Sequence, residues 1–105
     1  MNQKPHLFCF GIGYSAGFLA RDLIQKGWTV TGTCRSRDRQ VELSRFGIEA
    51  HLFDRDHPLG NLTDLLAPAT HLLSSVPPDA SGDPVIDQHR AEIDAATHLL
   101  SLIHM

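Results

Sequence analysis

The chain has one tyrosine, one tryptophan, two cysteines and only two lysines, Lys4 and Lys26. Two cysteines cannot supply the dense disulfide framework of a small secreted domain. Cys9 and Cys34 fall in strand-like segments. A bridge between neighbouring strands is conceivable, but both read better as small buried hydrophobes. No apolar run approaches the roughly 20 residues of a spanning helix. The opening Met-Asn-Gln-Lys-Pro-His lacks the apolar core of a signal peptide, so a cytoplasmic location is expected. Basic excess is also missing. A net charge of −3 and a pI near 6.1 argue against nucleic-acid and membrane-surface roles. Seven histidines are present, at 6, 51, 57, 71, 89, 98 and 104, without metal-ligand spacing or a companion cysteine cluster. No metal site is expected.

What is present fits one small globular domain over residues 1–105, with 42% apolar and 20% charged residues. Its most informative stretch is Phe10-Gly11-Ile12-Gly13-Tyr14-Ser15-Ala16-Gly17. An apolar strand-like run, His6 to Phe10, precedes it. Ala16, Leu19, Ala20 and Leu23 follow at helical spacing. A glycine turn between strand and helix is the dinucleotide-binding fingerprint, here Gly-x-Gly-x-x-Ala. Gly11 permits the tight turn, and Gly13 lets backbone approach a pyrophosphate. Ala16 lets the helix pack close, so that its first amides face the anion.

Beyond the turn, the first helix is expected to reach Lys26, with Gly27 as its stop. Trp28–Cys34 reads as the second strand. Ser36 would cap a polar helix from Arg37 to Phe46. Ile48–Phe53 reads as the third strand, and Leu62–Leu66 as a short helix. A fourth strand spans His71–Val76. Asp83-Pro84 starts a last helix reaching about Thr97, and Leu99–Ile103 would form a fifth strand. On the last helix, His89 shares a stripe with Val85, Ile93 and Ala96, which suits a core histidine better than a catalytic one.

This alternation predicts a Rossmann-type α/β fold: a doubly wound parallel sheet in three α/β/α layers, strand order 3-2-1-4(-5). The fifth strand would be an apolar open edge, so a homodimer through the C-terminal segment is expected.

An acid that would hold an NAD ribose is expected near the end of the second strand. No acid lies between Asp22 and Asp38. The segment instead reads Thr33-Cys34-Arg35-Ser36-Arg37. Arg35, with Ser36 and with help from Arg37 and Arg39, suits the 2′-phosphate of NADP. Asp54, closing the third strand, could accept from an adenine amino group, or simply pair with Arg55 or cap a turn. Ser74, Ser75 and Val76 would line the ribose-nicotinamide side of the crevice.

Together, Gly11-Ile12-Gly13-Tyr14-Ser15-Ala16, Gly32-Thr33-Cys34-Arg35, Phe53-Asp54-Arg55 and Leu73-Ser74-Ser75-Val76-Pro77-Pro78 with Gly82-Asp83-Pro84 resemble the atypical short-chain dehydrogenase/reductase superfamily, near its NAD-dependent epimerase/dehydratase-like branch. The resemblance runs from Phe10 to about His89. It implies cofactor contacts at Gly11, Gly13, Tyr14, Ser15, Arg35, Asp54 and Ser74 to Val76, and an NAD(P)-dependent oxidoreductase or epimerase/dehydratase. Those enzymes use a Tyr-x-x-x-Lys pair, with the tyrosine as acid/base. Here the only tyrosine is Tyr14 and the last lysine is Lys26. The chain therefore reads as the cofactor-binding half of such an enzyme. A self-standing, dimeric nucleotide sensor is the alternative.

Overall fold

The computed structural model describes residues 4–104, so the ends of the expected 1–105 domain, residues 1–3 and 105, lie outside the described residues. The elements run β1 (His6–Phe10), α1 (Tyr14–Gln25), β2 (Thr29–Cys34), α2 (Arg37–Ser44), β3 (Glu49–Leu52), α3 (Leu62–Leu66), β4 (His71–Ser74), α4 (Pro84–Ala95) and β5 (Ser101–His104). The five strands form one parallel sheet in the order β3-β2-β1-β4-β5. This is the Rossmann-like arrangement expected from the alternation of elements.

β1 lies at the centre and is buried along its whole length. Its alternation sorts two cores, because successive strand side chains leave opposite faces. Leu7 and Cys9 join Ala16 and Ala20 of α1 and Leu43 of α2. Phe8 and Phe10 join Leu62 and Leu66 of α3 and Val85 and Ile93 of α4. Phe8 and Phe10 meet edge to face at 5.1 Å, and Phe10 meets Phe53 at 5.4 Å. Burying each ring contributes roughly 1.5–3 kcal/mol.

The helix periodicity holds with one correction. Ala16 and Ala20 are buried and Leu23 packs against the core, whereas Leu19 is 39% exposed. Gly17 takes a place in the buried stripe instead. Strand four ends at Ser74 rather than Val76, because Ser75 and Val76 leave the ladder to meet the glycine turn. The fifth strand begins at Ser101 rather than Leu99. Leu99 is held in the α3/α4 core, and the Leu100 amide donates to Thr70 O at 2.7 Å before pairing begins. The last helix stops at Ala95, two residues before its expected end at Thr97.

His89 is buried as expected, and the reason is specific. It sits at a non-helical kink in α4 (φ −133°, ψ 18°) beside Phe10 and Phe53. Its Nε2 accepts from the Leu59 amide at 3.0 Å, and its Nδ1 pairs with Glu92 Oε2 at 2.7 Å. Cys9 and Cys34 are free and buried. Among the described residues no metal-binding cluster occurs, and no helix is long and apolar enough to cross a membrane.

Candidate functional site

A cavity of about 800 Å³ opens at the carboxyl ends of β1, β2, β3 and β4, where the chain leaves the sheet in loops. Open α/β sheets bind ligands at this edge. Its floor is the glycine turn. Gly11 has φ +83°, a left-handed conformation that side chains resist, and a Cβ there would lie 2.8 Å from Val76 Cγ2. Gly13 has extended backbone (φ −90°, ψ −153°) and nothing within 4 Å of the place its Cβ would take. The two glycines thus serve different needs. Gly11 satisfies the fold, and Gly13 leaves open space.

The turn is fastened to β2 and β4. The Gly11 amide donates to Thr33 Oγ1 at 2.8 Å, and the Ile12 amide donates to Thr33 O at 2.8 Å. The Ser75 amide donates to Phe10 O at 2.9 Å, and its hydroxyl donates to Gly11 O. Gly32 lets β2 approach closely, since a Cβ there would lie 2.3 Å from Cys9 O. No side chain caps α1, and its first intrahelical bond runs from the Gly17 amide to Gly13 O at 2.8 Å. The first-turn amides of α1 therefore carry the partial positive charge of an unshielded helix end.

Of the residues singled out in the sequence, Gly11, Gly13, Tyr14, Arg35, Ser36, Asp54, Ser75 and Val76 line this one cavity. Ser15, Ala16, Arg37 and Ser74 do not. Ser15 and Arg37 are exposed outside it, while Ala16 and Ser74 are buried in the layers beneath. Arg35 is exposed at the end of β2. Ser36 caps α2, its Oγ accepting from the Arg39 amide at 3.1 Å. Arg39, expected to assist with a phosphate, also lines the cavity, where it is tied to the glycine turn. Its Nε donates to Ile12 O at 3.1 Å and its Nη2 to Gly13 O at 2.9 Å, while Nη1 pairs with Glu42.

The opposite wall is ionic. Asp54 Oδ1 accepts from the Asp56 amide at 2.9 Å and pairs with His57 Nδ1 at 2.8 Å. His57 therefore holds the Asp54 carboxyl below the usual carboxylate range, and Asp54 raises the His57 imidazole above its ordinary value. Arg55 grips Asp79 through Nε at 2.7 Å and Nη2 at 2.8 Å, and reaches Asp87 through Nη1 at 2.7 Å. These bonds to Asp79 and Asp87 raise the guanidinium further above its ordinary value, and Arg55 holds the Asp79 carboxyl low. Cys9 lies beneath the turn, and burial pushes its thiol up to about 12, which removes it as a nucleophile.

Several lining or supporting residues have no role in the sequence reading. Asp38, in the first turn of α2, lines the cavity. Thr33 had appeared only as a marker of position. The Arg55–Asp79–Asp87 cluster joins residues 24 and 32 positions apart, a separation that local patterns do not reach.

Neither a protein-family model nor a curated protein matches the chain. Solved structures do. A functionally unknown conserved protein from Silicibacter pomeroyi DSS is 33% identical, with a TM-score of 0.80 over 96% of this chain and 34% of its own. An imine reductase from Myxococcus stipitatus, a V8 variant in complex with NAD+, is 19% identical (TM-score 0.67, 97% of this chain and 32% of its own). An imine reductase from Pseudomonas sp. is also 19% identical, with a TM-score of 0.64 over the same shares. The chain spans about a third of the length of each protein. At these identities the two reductases share its fold.

Proposed function

We propose that the chain binds a nicotinamide dinucleotide over the Gly11–Ala16 turn, and prefers NADP(H) to NAD(H). The observation that carries this reading is Gly13, an exposed glycine with open space at its Cβ position, at the mouth of an uncapped helix. A pyrophosphate would meet the first amides of α1 there. Tyr14 would stand beside it, with Ser15 and Ala16 offering backbone alone. Among the described residues the Arg35 guanidinium makes no hydrogen bond or ion pair, so its fork is free for a 2′-phosphate beside Ser36. Arg37 would add charge from outside the cavity. Asp54 keeps Oδ2 for an adenine amino group, since Oδ1 is taken. Val76 and the Ser75 backbone would border the ribose-nicotinamide side, with Ser74 supporting from β4. The likeness to an imine reductase in complex with NAD+ supports the cofactor class.

At the finer level we read the chain as the cofactor-binding part of a short-chain dehydrogenase/reductase-like enzyme of the epimerase/dehydratase kind. Its lone tyrosine, Tyr14, belongs to the turn, so the chain would supply the cofactor and not the proton donor. The nucleotide-sensor reading shares every one of these contacts. We also infer a homodimer through β5.

Calorimetric titration with NADP+ and NAD+ tests the proposal. Arg35→Ala should weaken NADP+ by roughly 1.5–3 kcal/mol, the scale of a hydrogen bond to a charged group, and leave NAD+ almost unchanged. Equal affinities in the parent would end the NADP preference. Asp38 carries the second reading. Asp38 lines the cavity beyond the end of β2, and a carboxylate accepts from a ribose 2′-hydroxyl, so in an NAD-preferring chain Asp38→Asn would be the damaging change.

A further inference from the structure

We propose that Arg39 is a positioning residue that holds the glycine turn in its anion-ready form. It sits on α2, away from the turn in sequence, yet its guanidinium takes two consecutive turn carbonyls, Ile12 O at 3.1 Å and Gly13 O at 2.9 Å. Glu42 holds the remaining end of the fork. Peptide planarity converts this grip into amide orientation. In a trans peptide the carbonyl and the following N–H point in opposite directions. Fixing Gly13 O therefore fixes the Tyr14 N–H, the first amide of α1, directed away from Arg39. Fixing Ile12 O does the same for the Gly13 N–H, which closes on Gly11 O at 3.0 Å.

A second observation concerns the space that the guanidinium occupies. Gly17 is buried inside α1, where glycine is a poor helix former. A Cβ at Gly17 would lie 2.7 Å from Arg39 Nη2. The missing side chain is the seat of the guanidinium. Gly17 thus serves the clamp, where Gly11 serves the turn and Gly13 the open space. Lysine could not replace arginine here, because one ammonium has no planar fork to span two carbonyls.

The binding arm of the test rests on the nucleotide reading above; the exchange arm does not. Arg39→Met, Arg39→Lys and Gly17→Ala are compared with the parent by amide hydrogen exchange and by titration with ADP, NAD+ and NADP+. Amides at Ile12, Gly13 and position 17 should exchange at least about tenfold faster, as expected for losing a charge-assisted hydrogen bond, while β1 and β4 keep their protection. All three nucleotides should lose affinity by a common factor, which leaves the NADP+ to NAD+ ratio unchanged. Arg35→Ala, by contrast, should change that ratio. Alanine is the better helix former, so faster exchange in Gly17→Ala cannot come from lost helix propensity. Arg39→Lys should retain part of the protection and covers the case in which Arg39→Met does not fold. Turn amides that exchange at the parent rate in Arg39→Lys and Gly17→Ala would overturn the clamp. A loss confined to NADP+ would also overturn it, making Arg39 a phosphate ligand. If the parent binds no nucleotide, the functional reading fails and exchange alone decides the role of Arg39.

Discussion

Thr33 binds the glycine turn twice, its hydroxyl accepting from the Gly11 amide and its carbonyl from the Ile12 amide, both at 2.8 Å. Thr33 is 1% exposed, so water cannot readily replace that acceptor. Thr33→Val keeps the shape and removes the hydroxyl. It should lower unfolding stability by about 1–3 kcal/mol, the cost of an unpaired donor. Thr33→Ser keeps the acceptor and should cost less. Urea unfolding of both variants checks the order, and a valine variant as stable as the parent would refute the assignment.

Gly13 and Gly11 should separate binding from folding. A Cβ at Gly13 would meet no atom within 4 Å and the backbone there is extended, so the fold should tolerate Gly13→Val. Its side chain would stand where the pyrophosphate is proposed, and nucleotide binding should be lost. Gly11→Ala meets Val76 and a positive φ, so its thermal midpoint should fall. Thermal unfolding and titration on both variants give the comparison.

The Asp54–His57 pair sets a pH window for the loop after β3. The folded Asp54 value is depressed, so its contribution is present above the unfolded value and lost as pH falls through the folded one. The folded His57 value is raised, so its contribution is present below the unfolded value and lost as pH rises through the folded one. The pair should therefore be intact between the two. Proton NMR of the His57 ring should show a midpoint above the ordinary histidine value, and Asp54→Asn should move it down. No movement would mean that the pair does not form in solution.

The two sheet edges differ in chemistry. At β3, Glu49 is exposed and pairs with His51 at 3.0 Å, a charged edge that discourages further strands. At β5, Leu102 and Ile103 are half exposed, and Leu100 beside them is 77% exposed. A two-fold axis would pair β5 with a second copy in antiparallel fashion. Sedimentation at micromolar concentration should show a dimer. Lysines placed at Leu100 and Leu102 should shift it to monomer. A parent that sediments as a monomer would remove the proposed interface.

Sequence patterns reached the sheet order because each cue was local: a glycine turn after the first strand, caps at Ser36 and Asp83-Pro84, and right-handed crossovers between them. They gathered part of the cavity lining for the same reason, since strand ends carry it. They misjudged Leu19, because helical spacing alone cannot show that Gly17 and not Leu19 faces inward. They started the fifth strand early, because Leu99 is apolar whether it pairs in a sheet or packs beneath one. The engagement of Arg39 depends on where two backbone carbonyls point, and residue type does not encode that. The grip of Arg55 on Asp79 and Asp87 depends on loops that meet only after the sheet has formed.

That grip gives the cavity two walls of unlike physics. The glycine-turn wall joins neutral hydrogen bonds from Thr33 and Ser75 to the part-buried grip of Arg39 on backbone carbonyls, which dissolved ions weaken less. The wall around Arg55 is built from partly exposed charges, whose attraction fades within about 10 Å as ionic strength reaches 0.1 M. Ionic strength therefore acts on the site unevenly. It loosens the wall beside Asp54 and Asp79 while the anion-facing turn keeps its shape.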